Sequence, residues 1–171
     1  MKTKSLSGLI IAGVLITSSQ AVLASRDVAV VDNQEYIDEC GACHFAFQPG
    51  LLPERSWKKI MASLDKHFGE NAELPSSDAQ ALTDYLVKNA GDHSSFKRSV
   101  KFMRSISSAE TPLRISKIPY FVKEHREVVA KIKDSTKVKS ISNCEACHLK
   151  AADGSYAERE INIPGIGRWE D

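Results

Sequence analysis

Apolar residues recur at three- and four-residue intervals along most of this chain, which predicts helices almost throughout. In "LPERSWKKIMASLDKHFG" the residues Trp57, Ile60, Met61, Leu64 and Phe68 share one face, with Gly69 as a stop. "PSSDAQALTDYLVKNAG" aligns Ala81, Leu82, Tyr85 and Leu86 and closes at Gly91. "PYFVKEHREVVAKIKD" turns Phe121, Val122, Val128, Val129 and Ile132 inward, with Pro119 at its first turn. Two further helices are expected in "NQEYIDECGACH" and in "SISNCEACHLKAADG", the latter ended by Gly154. Between them, 94–118 is serine-rich, basic and weakly periodic, and reads as a connector with one short helix around Phe102. No stretch alternates well enough to propose a sheet, and "EINIPGIG" is ambiguous. The expected fold class is all-α.

The first residues stand apart from this pattern. Lys2 and Lys4 precede the apolar run "LIIAGVLI" and a small-residue end at Val22-Leu23-Ala24, the layout of a cleaved export signal over 1–24. The run is far shorter than the roughly 20 residues a membrane span requires. Of 171 residues, 147 would remain, enough for two small lobes: 25–93 and 119–171, joined by 94–118.

Cysteine placement then changes the picture. All four cysteines lie in two C-x-x-C-H sequences, Cys40-Gly-Ala-Cys43-His44 and Cys144-Glu-Ala-Cys147-His148. That pentapeptide is a c-type haem attachment site. A zinc reading is poorer, because a histidine directly after the second cysteine is badly placed for the same tetrahedral ion. Two covalently bound haem c groups are expected, one in each helical lobe, and no disulfides.

His44 and His148 are the proximal iron ligands on this reading, which leaves His67, His93 and His125 for two distal positions. His67 and His125 each project from an apolar stripe, and buried imidazole is better used on iron than left unpaired. A lone histidine on such a face is otherwise an ordinary core residue; two irons to fill reverse the balance. His93, in "GDHSS", reads as a surface loop residue. Met61 reads as core. Met103 is the rival ligand, and histidine–methionine ligation would raise a potential that two histidines keep low. The simplest pairing joins His44 with His67 and His148 with His125; a crossed pairing remains open.

Charge adds a gradient. The stretch 25–93 holds 6 Lys and Arg against 12 Asp and Glu, 94–139 holds 12 against 4, and 140–171 holds 3 against 6. The blocks suggest a dipolar molecule able to orient on a charged redox partner. They also suggest that electrons run downhill from the first haem to the second, although the second motif itself lies in an acidic tail. The competing functions are a dihaem peroxidase or a gas-binding haem protein, each needing an open iron face.

The set "ECGACH", "LLPERSW", "HFG" and "NCEACH", spread over about 36–165, resembles the dihaem cytochrome c family of bacterial periplasmic electron carriers. The resemblance implies two low-potential bis-histidine haems at the positions above and a periplasmic location. It also implies electron transfer between a membrane b-type cytochrome and a small soluble monohaem cytochrome, with no catalytic residues and no nucleic-acid partner.

Overall fold

The computed structural model describes residues 26–169; the stretch read as an export signal lies outside them. Among the described residues no helix is long and apolar enough to cross a membrane. The α-helices are α1 (Gln34–Gly41), α2 (Glu54–Met61), α3 (Ser76–Lys88), α4 (Lys97–Ser105), α5 (Pro119–Glu124) and α6 (Arg126–Ile132). The expected all-α class holds apart from one antiparallel pair of two-residue strands, β1 (Asn162–Ile163) and β2 (Gly167–Arg168), in the tail that was ambiguous.

α1 starts where the Asn33 side chain accepts a hydrogen bond from the Tyr36 amide at 2.8 Å. α2 stops at Met61, well before the predicted end. There the Ser63 hydroxyl donates back to the Lys59 carbonyl, and Phe68 and Gly69 both adopt positive φ, +57° and +110°. The stripe expected to run on to Phe68 is therefore broken after Ile60, and Phe68 is exposed. α3 matches its expected helix, with Leu82 and Leu86 buried and Ala81 outside.

The helix expected over 119–134 bends at His125, where α5 ends and α6 begins. Phe121 and Ile132 are buried as the pattern implied. Val122 and Val129 are not; they are 51% and 48% exposed, because the bend divides the single stripe. The second motif forms no α-helix. Cys144–Ala146 is one 3-10 turn, after which the backbone bonds sideways: the Asn162 amide donates to the Cys147 carbonyl at 2.9 Å, and His148 bridges to Ile161.

The main core gathers Tyr36, Leu52, Trp57, Leu82, Phe102 and Ile118; a smaller one holds Ile132, Val138, Ile163 and Trp169. The stretch expected as a connector is part of the main core. Phe102 of α4 is buried, as are Ile115 and Ile118 after it, because α4 packs on the 3-10 turn Pro49–Leu51. Contact there is close: a Cβ on Gly50 would lie 2.7 Å from the Ser99 hydroxyl oxygen.

Candidate haem sites

The last turn of α1 carries Cys40, and Cys43 and His44 follow directly. Tyr36, one turn earlier, is buried and donates its hydroxyl to the Phe47 carbonyl at 2.8 Å. This fixes the loop after the motif. His44 Nδ1 lies 2.8 Å from the Phe45 carbonyl, and its ring faces Phe47 at 5.2 Å.

His67 reaches the same place from the end of the 3-10 turn Leu64–Lys66, not from a helix face. The His44 and His67 rings stand 6.1 Å apart between centroids and are nearly parallel, at 18°. Two imidazoles sharing one metal ion at about 2 Å from each nitrogen have centroids about 6 Å apart. Burial, then His44, then Arg114 hold the His67 pKa below its ordinary value.

The second arrangement repeats the distance at a different angle. His125 and His148 have centroids 6.0 Å apart and planes inclined by 66°. His125 stacks flat on Phe121 at 3.8 Å and 8°. Its Nδ1 lies 2.9 Å from the Phe121 carbonyl, so an N–H there leaves Nε2 as the free lone pair. His148 meets Tyr156 edge-on at 5.1 Å, and its Nδ1 is buried with no hydrogen-bond partner. Burial, then His125 and Arg98, push the His148 pKa down to about 4, with Asp27 acting the other way.

Both histidines of the second pair line a cavity of about 430 Å³, together with Cys144, Cys147, Phe102, Ile141 and Trp169. Cys40 and Cys144 are poor nucleophiles in this fold: burial lifts Cys40 to about 11 and Cys144 to about 12. Large exposed apolar side chains gather beside the same residues. Ile37 is three before Cys40, Phe68 follows His67, Val122 and Val129 flank His125, and Leu149 follows His148. Exposed apolar residues placed this way mark a surface that something apolar covers. Thiol pairs, facing imidazoles and an apolar skirt together fit a flat, iron-bearing macrocycle at each motif.

Comparison with known proteins decides the family. A family model for dihaem cytochrome c matches residues 36–156. The chain belongs to the dihaem cytochrome c family. Its fold is similar to the diheme cytochrome c from Rhodobacter sphaeroides, at 40% identity and a TM-score of 0.66 over 74% of this chain and 98% of that one. It is also similar to the diheme cytochrome type c from Shewanella baltica, at 34% identity and a TM-score of 0.67 over 82% of this chain and 100% of that one. No curated protein matches. As a dihaem cytochrome c the protein carries two covalently bound haem c groups, and its family is consistent with electron transfer.

The remaining candidates lie elsewhere. His93 is exposed and sits 3.1 Å from Glu54. Met103 packs against Gly91, where an added Cβ would meet its sulfur at 2.6 Å, and Met61 packs on the main core. Three residues of this dihaem cytochrome c gave no sequence signal, Tyr156 against His148 and Gln48 and Arg98 behind it, while Phe121, read only as core, lies under His125. Gln48 is fully buried; it donates to the Ala151 carbonyl at 2.6 Å and accepts from the Tyr156 hydroxyl at 2.7 Å.

Proposed function

We propose that this protein is an outer-sphere electron carrier with two closed, low-spin irons. On this reading Cys40 and Cys43 bond the first haem and Cys144 and Cys147 the second. His44 with His67, and His148 with His125, are the axial pairs. The observation that supports the reading is the pair of centroid distances, 6.1 and 6.0 Å, each of the length one metal between two imidazoles demands. The haems supply the one-electron chemistry. The chain's residues fix ring orientation, exclude water and set the potential, and none performs acid–base work. Bis-histidine ligation implies low potentials. Further parts of the proposal are export to the periplasm after removal of 1–24, a membrane b-type cytochrome as donor and a small soluble monohaem cytochrome as acceptor; family resemblance and the charge blocks support them.

The test is the visible spectrum of the dithionite-reduced protein with and without carbon monoxide. The spectrum is expected to stay low-spin and unchanged. A shifted Soret band would mean an open or loosely held iron, and gas binding or peroxide chemistry would replace the carrier reading for that haem.

A further inference from the structure

An imidazole turns about its bond to a metal with little intrinsic resistance, so its plane is set by the groups packed around the ring. The two histidine pairs differ in that plane: the rings are inclined by 18° in the first and by 66° in the second. Their phenylalanine neighbours differ too. Phe68 stands edge-on to His67 at 4.8 Å and 67°, and Phe47 is tilted by 34° from His44 at 5.2 Å. Phe121 instead lies flat on His125, 3.8 Å away and within 8° of parallel.

Phe121 grips His125 in two ways, because the two stand one helical turn apart at the end of α5. Its carbonyl accepts the His125 amide at 3.0 Å and faces the His125 Nδ1 at 2.9 Å. That contact selects which ring nitrogen is left free, but a hydrogen bond tolerates a tilt of about 30°. The stack does not. Atoms of a five-membered ring lie about 1.2 Å from its centre, so a tilt of about 30° would press some of them roughly 0.6 Å toward Phe121. That is inside the carbon–carbon optimum of about 3.5–4.0 Å. The Phe121 face is itself fixed, being buried in the main core. Next to it, the Tyr120 amide donates to the Ser105 hydroxyl at 3.2 Å and the Tyr120 ring meets Phe102 edge-on at 5.3 Å, which ties α5 to α4.

We propose that Phe121 is the positioning residue of the second haem site: its ring sets the plane of His125 and so holds the axial pair His125 and His148 steeply inclined. This rests on the carrier reading above, in which both histidines are iron ligands. A ligand ring that cannot turn when the iron changes charge adds little to the reorganisation that each electron transfer requires. Phe121 acts through His125 and touches neither the electron donor nor the acceptor.

The ring planes supply the readout. Nearly parallel imidazoles give a low-spin ferric haem a three-line rhombic EPR spectrum, whereas steeply inclined ones give a strongly anisotropic signal dominated by one large g value. EPR of the oxidised wild-type holoprotein is expected to show one signal of each kind. In Phe121→Leu, which fills the core without a flat face, the anisotropic signal should collapse into a rhombic one or spread over many g values. Both irons should stay low-spin and closed to carbon monoxide, and the first-site signal should not move. Phe121→Tyr keeps the face and should keep the wild-type spectrum. A wild-type protein with no strongly anisotropic signal overturns the proposal without needing any variant. So does an unchanged anisotropic signal in Phe121→Leu with both haems incorporated. Carbon monoxide binding by Phe121→Leu alone also overturns it, since Phe121 would then keep His125 on the iron rather than set its plane. Carbon monoxide binding by the wild-type protein instead defeats the carrier reading, and the two failures are distinct.

Discussion

The hydrogen bond between Tyr156 and Gln48 joins the chain beside the first motif to the chain beyond the second, and its worth can be measured without touching either haem. Tyr156→Phe removes the hydroxyl and keeps the ring that meets His148 edge-on. Gln48, fully buried, then has an amide oxygen with no donor, which costs about 1–3 kcal/mol. Gln48→Leu leaves the Tyr156 hydroxyl unpaired at similar cost. It adds little at Ala151, whose carbonyl still accepts the Gly154 amide at 2.9 Å. The double variant leaves neither group stranded and should be less destabilised than the sum of the singles by about 0.5–3 kcal/mol. Guanidinium unfolding of the four holoproteins, followed by far-UV circular dichroism, gives the cycle. For a chain of this size each kcal/mol corresponds to about 2–4 °C in Tm. Additivity within about 0.5 kcal/mol would sink the argument, since the two groups would then not depend on each other.

His67→Ala is expected to open one iron, so that carbon monoxide shifts the Soret band of half the haem while the inclined-pair EPR signal survives; His125→Ala should do the reverse. A potentiometric titration of His67→Met should show one haem raised and the other unmoved, as thioether ligation favours the reduced iron. Gly154→Ala should cost at least about 2 kcal/mol in guanidinium unfolding, because its φ is +76° and a Cβ would lie 2.5 Å from the Val28 carbonyl oxygen. Gly69→Ala should cost less, since its φ is also positive but nothing lies within 4 Å of an added Cβ.

Much of the site was legible because covalent haem chemistry is written in five adjacent letters. The two motifs and the two spare histidines at helical spacing were readable without coordinates, and the structure sets those histidines opposite the motif histidines. The route was misread for His67. Its periodicity suggested a helix face, whereas the Ser63 back-bond and two left-handed residues deliver it on a turn. The second motif likewise read as helical, because local pattern does not reveal that Cys147 and His148 will pair with Asn162 and Ile161, 15 and 13 residues later. Arg98 was invisible among 12 basic residues between 94 and 139. A charge run is usually a solvated face, and only tertiary packing singles out the member that turns inward. The same packing put the expected connector into the core, where α4 meets a turn almost 50 residues upstream.

The stitching of early chain to late chain also imposes an order in time. The Asp27 and Val28 amides donate to the Gly154 carbonyl at 2.8 and 3.2 Å, and Gln48 waits for Ala151 and Tyr156. Pairings this remote in sequence form late, since loop closure is costly until the later contacts reward it. Once they form, the Cys40 and Cys144 thiols lie in surroundings that hold them protonated and unreactive. Thioether formation at those two cysteines is therefore expected while the chain is still open, with the closing of residues 26–28 onto 154–156 following cofactor loading.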